Sequence, residues 1–250
     1  MSDMRLLSFV LLLALAVPAQ VRKEHPVTNP VENLNKAQRL LLVTTPGWNS
    51  VDGTMQRYER RSGKWVKVGE AFPIVVGANG LGWDPVLLAA EKQHRAGPVK
   101  HEGDGRSPAG VFPVGDAFGF DPKGPTARKY IPLTATTECV DDAGSAHYAH
   151  VVDRNEVPKV DWNSSEKMRE IGAYKLGLVV NYNLASTVKS NGSCIFLHIW
   201  KGAGHGTAGC TAMDETRLEE LVKWIGNNQA ALVQLPSAEY DRARKQWRLP

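Results

Sequence analysis

The sequence predicts a mainly β domain with a few helices on its flank, and three observations carry that reading. Short runs rich in β-branched and aromatic residues recur from Leu40 onward, among them LLLVTT, TMQRYER, GKWVKVG and FPIVVGANG. Gly, Asn, Asp and Pro separate these runs at the spacing of successive strands and hairpins. Helical signals, by contrast, are confined to two segments, 162–171 and the stretch after Asp214.

Along the chain, Arg61-Ser62-Gly63-Lys64 is the clearest turn, joining strands that carry Tyr58 and Trp65. Further strands are predicted at Tyr130 to Thr134, Leu176 to Tyr182 and Cys194 to Trp200, with loop-rich stretches (HEGDGRSPAG, FGFDPKGPT) before them. The first helix is expected over 162–171, with Ser164 or Ser165 as its N-cap. In the second, Asp214 is the cap, and Leu218, Leu221, Val222 and Ile225 recur at i, i+3, i+4 and i+7. Gly226-Asn227-Asn228 then stops it, and Ala231 to Leu235 forms a last strand. No internal repeat or low-complexity stretch is visible. The expected division is a signal peptide at 1–19, a polar linker at 20–38, one catalytic domain at 39–236 and a polar C-terminal tail at 237–250.

The ends and the composition narrow the setting. Arg5 precedes an apolar run, Leu6 to Val17, of signal-peptide length, and Val17-Pro18-Ala19 offers a cleavage point after Ala19. Spanning a bilayer takes about 20 apolar residues, and Arg22, Lys23 and Glu24 follow too soon for that. Export to the periplasm or cell envelope is expected, with no membrane anchor after cleavage. A formal charge of +4 is mild. No Lys/Arg cluster is interleaved with aromatics, so nucleic-acid binding has no support. In an oxidising compartment, three cysteines (Cys139, Cys194 and Cys210) allow one disulfide and one odd thiol, by any of three pairings.

Chemistry concentrates in Ser193 to Met213, SCIFLHIWKGAGHGTAGCTAM. His198 lies near the end of a predicted strand. A loop with Gly202, Gly204, Gly206 and Gly209 follows, and Cys210 comes about one turn before the Asp214-capped helix. A thiol becomes a useful nucleophile when an imidazole or a helix N-terminus favours its thiolate. His198 is the candidate base, and His205, inside the loop, its rival. Backbone N–H groups around Gly209 and Cys210 are oxyanion-hole candidates, with Thr207 positioning the loop or donating to the same oxygen. Cys and His are also common as packed core residues. Four loop glycines carry an entropy cost that packing alone does not require. Upstream, Lys100 to Phe112 forms a second glycine-rich segment that on local physics is a surface loop.

With both segments in view, the chain resembles the YkuD-type L,D-transpeptidases. Gly105-Arg106-Ser107-Pro108-Ala109-Gly110-Val111-Phe112 is similar to that family's Gly-x-Ser/Thr-Pro-x-Gly-x-Phe/Tyr segment. Thr207-Ala208-Gly209-Cys210 is similar to its Ser/Thr-x-Gly-Cys nucleophile motif, with His198 as the preceding strand histidine. The resemblance implies an L,D-transpeptidase-like β-sandwich catalytic domain. It implies that Cys210 attacks a peptidoglycan stem tetrapeptide, that D-alanine leaves protonated by His198, and that an amine then takes the acyl group. It also implies that a backbone carbonyl orients the histidine. With Cys210 as nucleophile, Cys139–Cys194 becomes the expected disulfide. Ala208 and Ala212 stand where many members carry His and Asn or Arg, and the gap from His198 to Thr207 is short, so the chain resembles a divergent branch.

The alternatives are a secreted cysteine peptidase acting on the same stems and a non-catalytic wall-binding module. A zinc site from His198, His205 and Cys210 would occupy the thiolate and lacks a fourth ligand, so neither metal nor cofactor is expected. The expected partners are peptidoglycan stem peptides, and the expected state is a monomer.

Overall fold

The computed structural model describes residues 30–91, 95–185 and 187–250. The signal peptide and cleavage point expected at 1–19 lie outside the described residues. The architecture is mainly β, a sandwich-like barrel with helices at its edges. Its centre is β1 (Arg39–Thr45), which runs parallel to β13 (Ala230–Pro236) and antiparallel to β2 (Asp52–Arg61). Leu40 to Val43 are buried on both faces, which explains a continuous apolar run instead of an alternating one. β2 turns into β3 (Lys64–Val75) through Ser62 and Gly63, whose φ values of 47° and 77° are both left-handed. A two-residue hairpin needs that conformation at both central positions, and Gly63 supplies one at no steric cost.

The long strand β5 (Ser107–Gly119) closes the sheet. It pairs with β13 on one side and with β10 (Leu176–Val180) on the other, and takes β4 (Leu81–Trp83) and β6 (Tyr130–Pro132) as short parallel neighbours. From β10 the path continues through β11 (Phe196–Ile199) and β12 (Thr211–Met213) to β3, so it returns on itself. Leu41, Val43, Met55, Ile74, Leu197 and Leu232 fill the interior. Three short helices, α1 (Pro30–Lys36), α2 (Pro85–Glu91) and α3 (Glu215–Ile225), lie at the rim. Asp84 starts α2, its carboxylate accepting the Val86 N–H at 3.0 Å. Asp214 caps α3 through the Thr216 N–H at 2.9 Å, and Leu218, Leu221, Val222 and Ile225 are buried as their periodicity requires.

A separate three-stranded sheet holds β7 (Thr137–Val140) between β8 (Val151–Asp153) and β9 (Ser165–Lys167). Here the expected helix over 162–171 is corrected. Ser165–Lys167 pairs with β7 as a strand, and 3₁₀ turns follow at Met168–Glu170 and Gly172–Tyr174. The reason is the buried carboxylate of Glu138. It accepts Arg154 Nε at 2.6 Å, Trp162 Nε1 at 2.7 Å and Ser165 Oγ at 2.6 Å. Satisfying a buried charge outweighs the small propensity gain of one marginal helix.

Two other expectations change. Within the expected linker 20–38, Pro30–Lys36 is helical and Leu34 is buried. The expected polar tail, 237–250, forms α4 (Ser237–Gln246), and Ala243, Trp247 and Leu249 join the main core. Mean polarity hid three apolar residues that are enough to dock the segment.

Burial alone would raise the Glu138 carboxyl, but hydrogen bonds from Arg154, Ser165 and Trp162 hold it down at about 2. Its stabilisation is therefore present above the ordinary carboxyl value of 4.5 and is lost as pH falls toward about 2. Glu138→Gln should cost about 3 kcal/mol at pH 7. Urea unfolding followed from pH 7 to pH 2.5 should show the gap to wild type closing across that window.

Candidate active site

Both glycine-rich segments converge on the start of β12. β11 and β12 are parallel neighbours, with Leu197 opposite Thr211 and His198 opposite Ala212. Parallel neighbours cannot be joined by a tight hairpin, so the chain must loop back between them, and Lys201 to Gly209 is that loop. It is laced to the end of β3. The Thr207 N–H donates to the Val76 carbonyl at 3.0 Å, and the Ala78 N–H to the Thr207 carbonyl at 2.8 Å. A Cβ at Gly206 would lie 2.5 Å from the Ala78 Cα, so the close approach requires glycine there.

The Cys210 carbonyl is the knot between the segments. It accepts the Ser107 hydroxyl at 2.7 Å and the Thr207 hydroxyl at 2.6 Å. Ser107 Oγ in turn accepts the Gly77 N–H at 2.9 Å. The upstream segment, a surface loop on local physics, thus begins β5 and fixes the backbone of the candidate nucleophile. The Gly209 N–H donates to Thr207 Oγ1 at 3.1 Å and is committed within the loop. The Cys210 N–H has no protein partner among the described residues.

The thiol faces inward. Cys210 Sγ accepts the Phe196 N–H at 3.3 Å and donates to the Cys194 carbonyl at 3.3 Å. Cys194 is joined to Cys139 by a disulfide, which leaves Cys210 as the free cysteine. Burial pushes the Cys210 thiol far up, nearby Glu166 adds to this, and the Phe196 N–H, the Tyr174 hydroxyl and Lys100 oppose it. The expected help from a helix N-terminus is absent. The extended strand β12 separates Cys210 from the α3 cap by about 13 Å of chain, whereas a helix field fades within its first turn.

His198 is buried on the same face of the sheet. Its Nδ1 lies 2.8 Å from the Ile199 carbonyl, so Nδ1 carries the proton and Nε2 is the nitrogen open to chemistry. Burial lowers its pKa against the opposing hydrogen bond to Ile199, keeping the ring neutral. No hydrogen bond joins the His198 ring to the Cys210 thiol. Instead the ring meets Tyr174 edge-on, with centroids 5.4 Å apart. His205 is exposed, its Nδ1 3.1 Å from the Ala203 carbonyl. Among the described residues, no three His, Cys, Asp or Glu side chains gather as a metal site.

Two residues beside the thiol were not singled out by the sequence. Tyr174 is buried in the same cluster as Cys210, its hydroxyl directed at Glu166. The same hydroxyl lies 2.6 Å from Glu166 Oε2. Phe118 and Phe196 hold the Tyr174 ring edgewise at 5.7 and 5.4 Å. Glu166 arrives from β9, where it lies opposite Cys139. Neither residue belongs to a motif, and both lie in or just beyond the segment whose local pattern is helical. The β7–β9 pairing brings in Glu166, and the 3₁₀ turn at Gly172–Tyr174 packs Tyr174 against β11.

The family comparison matches this geometry. The YkuD profile, described as the L,D-transpeptidase catalytic domain, matches residues 51–233. The chain belongs to the YkuD family. The matched span of this YkuD domain contains Ser107, His198 and Cys210. A search of curated proteins gave no match. Among solved structures, the chain is similar to the helical cell shape determining protein Pgp2 from Campylobacter jejuni, at 13% identity and a TM-score of 0.39. A mutant of Pgp2 aligns at 13% identity with a TM-score of 0.40. Each alignment covers 82% of this chain, and the chain spans about half of Pgp2, 53% and 52% in the two structures.

Ser107→Ala would strip the YkuD domain's knot of one donor and orphan the buried Gly77 N–H. A loss of about 1–3 kcal/mol is expected from such a deletion, read by chemical denaturation. Non-reducing peptide mapping should recover a peptide pair crosslinked through Cys139 and Cys194, with Cys210 as the one alkylatable thiol. A crosslink involving Cys210 in the native protein would refute that assignment.

Proposed function

We propose that this protein is a peptidoglycan L,D-transpeptidase of the cell envelope, working through an acyl-enzyme on Cys210. One observation supports the reading most strongly. The free thiol sits where two hydroxyls fix its backbone carbonyl, on the same sheet face as a neutral histidine, inside a YkuD domain. Such a site suits acyl transfer from a peptide. The thiolate attacks the carbonyl ahead of a terminal D-amino acid, and the oxygen that gains charge turns to the Cys210 N–H. The amine leaves, and a second amine resolves the thioester. His198 Nε2 is the acid–base nitrogen of the imidazole, with the Ile199 carbonyl orienting the ring. The protein neighbours of Thr207 and Gly209 give them the role of shaping the loop.

Ala212 favours a second reading, in which water replaces the acceptor amine. It is buried opposite His198, and it has no polar atom with which to hold an acceptor. The enzyme would then be a peptidase trimming stems.

Incubation with disaccharide tetrapeptides separates the two: dimers or exchange of the terminal D-amino acid mean transfer, and shortened stems alone mean hydrolysis. Cys210→Ala should lower either activity at least about a thousandfold. Unchanged activity in that variant would refute the acyl-enzyme on Cys210. A carbapenem should add its mass to Cys210, and an unmodified protein would count against an open, acylatable thiol.

A further inference from the structure

Strand β2 carries an arginine that the fold leaves without a partner. The Arg57 guanidinium carbon lies 5.6 Å from the centroid of the Trp224 ring, and that of Arg39 lies 4.9 Å from the same ring. Arg39 is tied to Glu59, which also takes Arg61. The Arg57 side chain has no hydrogen bond or ion pair among the described residues. Arg39 Nε and Arg57 Nε are the buried side-chain donors left without a partner among those residues. A half-buried guanidinium ordinarily finds an acceptor, because its lost hydration otherwise goes unrecovered. Burial pulls Arg57 below its ordinary value, Glu220 opposes this and Arg217 adds to it. Glu220 is itself bonded to Arg217 at 3.0 Å.

The strand pair is shaped around that side chain. Met55 stands opposite Phe72 and Arg57 opposite Val68, so Gln56 alone faces Gly69, Glu70 and Ala71. The Gln56 amide fastens this bulge, donating to the Val68 and Gly69 carbonyls at 3.2 Å each. Bulges re-aim side chains and recur beside functional sites. Gly69 is left-handed at φ 62°, and a Cβ there would lie 3.0 Å from Arg57 Nη2. Glycine therefore keeps room beside the guanidinium. The position is remote from the thiol. Val68 comes seven residues before Val75, the partner of Ala212 on β12, which is roughly 20 Å of strand.

We propose that Arg57, seated on Trp224, is a carboxylate-binding exosite that holds a second stem peptide of the wall polymer while Cys210 works on the first, an assignment that rests on the polymer being the substrate. A guanidinium presents paired N–H donors that match the two oxygens of a carboxylate. Each unlinked stem ends in such a group, and the polymer repeats it. The Glu220 charge repels a dianion more than a monoanion, so the fork suits a carboxylate better than a phosphate. Trp224 holds the guanidinium by its ring face, so little side-chain freedom is lost when an anion docks. A second contact on a chain of repeats raises the effective concentration of substrate at the first. A disaccharide tetrapeptide has one stem and cannot fill both places at once.

The test compares the full wild-type chain with Arg57→Gln and Arg57→Lys in two assays. One is cosedimentation with insoluble peptidoglycan, and the other is release of the terminal D-amino acid from the soluble disaccharide tetrapeptide. Both substitutions should weaken cosedimentation about tenfold, the loss of one charge-assisted pair, and leave release from the soluble fragment unchanged. Arg57→Lys keeps the charge and loses the fork, so it decides the matter if Arg57→Gln fails to fold. Peptidoglycan with amidated carboxyls should bind wild type as weakly as native peptidoglycan binds Arg57→Gln. Equal cosedimentation of wild type and both variants, or full binding to the amidated polymer, overturns the exosite. Competition by inorganic phosphate but not by acetate, at equal ionic strength, overturns the carboxylate as its ligand. If no protein releases a D-amino acid while the cosedimentation difference persists, the acyl-transfer reading falls and the wall contact at Arg57 stands.

Discussion

The site depends on one backbone oxygen. The Cys210 carbonyl receives hydroxyls from Ser107 and Thr207, and Ser107 receives the N–H of Gly77, so three distant chain segments are locked at one point. A nucleophile on a mobile glycine loop would waste most of its orientation, and acyl transfer depends heavily on orientation. The parallel arrangement of β11 and β12 forces such a loop to exist. The two hydroxyls give it a defined end. Two motifs roughly a hundred residues apart in sequence act here as one structural unit.

The same packing that fixes Cys210 also hides it. Its thiol is surrounded by Phe118, Tyr174, Phe196 and the Cys139–Cys194 disulfide. Desolvation disfavours the charged form, and the thiol therefore rests neutral. For the proposed nucleophilic role, a thiol in this state needs a nearby proton acceptor and a way for the substrate to displace part of the covering. Gly177 contributes to the covering. A Cβ there would lie 2.2 Å from the Phe118 ring, which packs edgewise on both Tyr174 and Phe196. The aromatic cluster, and not the glycine loop, sets the electrostatics of the sulfur.

Much of the main sheet was legible because its signals are local. The Ser62-Gly63 turn, the Asp214 cap and the buried stripe of α3 each depend on residues within a few positions of one another. The helix expected over 162–171 failed for the opposite reason. Trp162 and Ser165 are recruited by Glu138, more than twenty residues earlier, and the backbone follows those bonds into β9. The C-terminal segment failed because Trp247 and Leu249 gain their partners only from a core assembled elsewhere.

By itself, the sequence determined the mainly β class, the odd-cysteine question and the two motifs that place the chain in the YkuD family, because residue type and spacing carry those directly. The tertiary structure alone decided what surrounds the sulfur. It made the upstream glycine segment a support for Cys210, and it separated Cys210 from the α3 cap by a strand. It also set Glu166 opposite Cys139, through a β7–β9 pairing that no local pattern encodes, and within hydrogen-bonding distance of the Tyr174 hydroxyl. Proton chemistry depends on contacts at hydrogen-bond distance, and those contacts come from segments whose meeting is settled by packing.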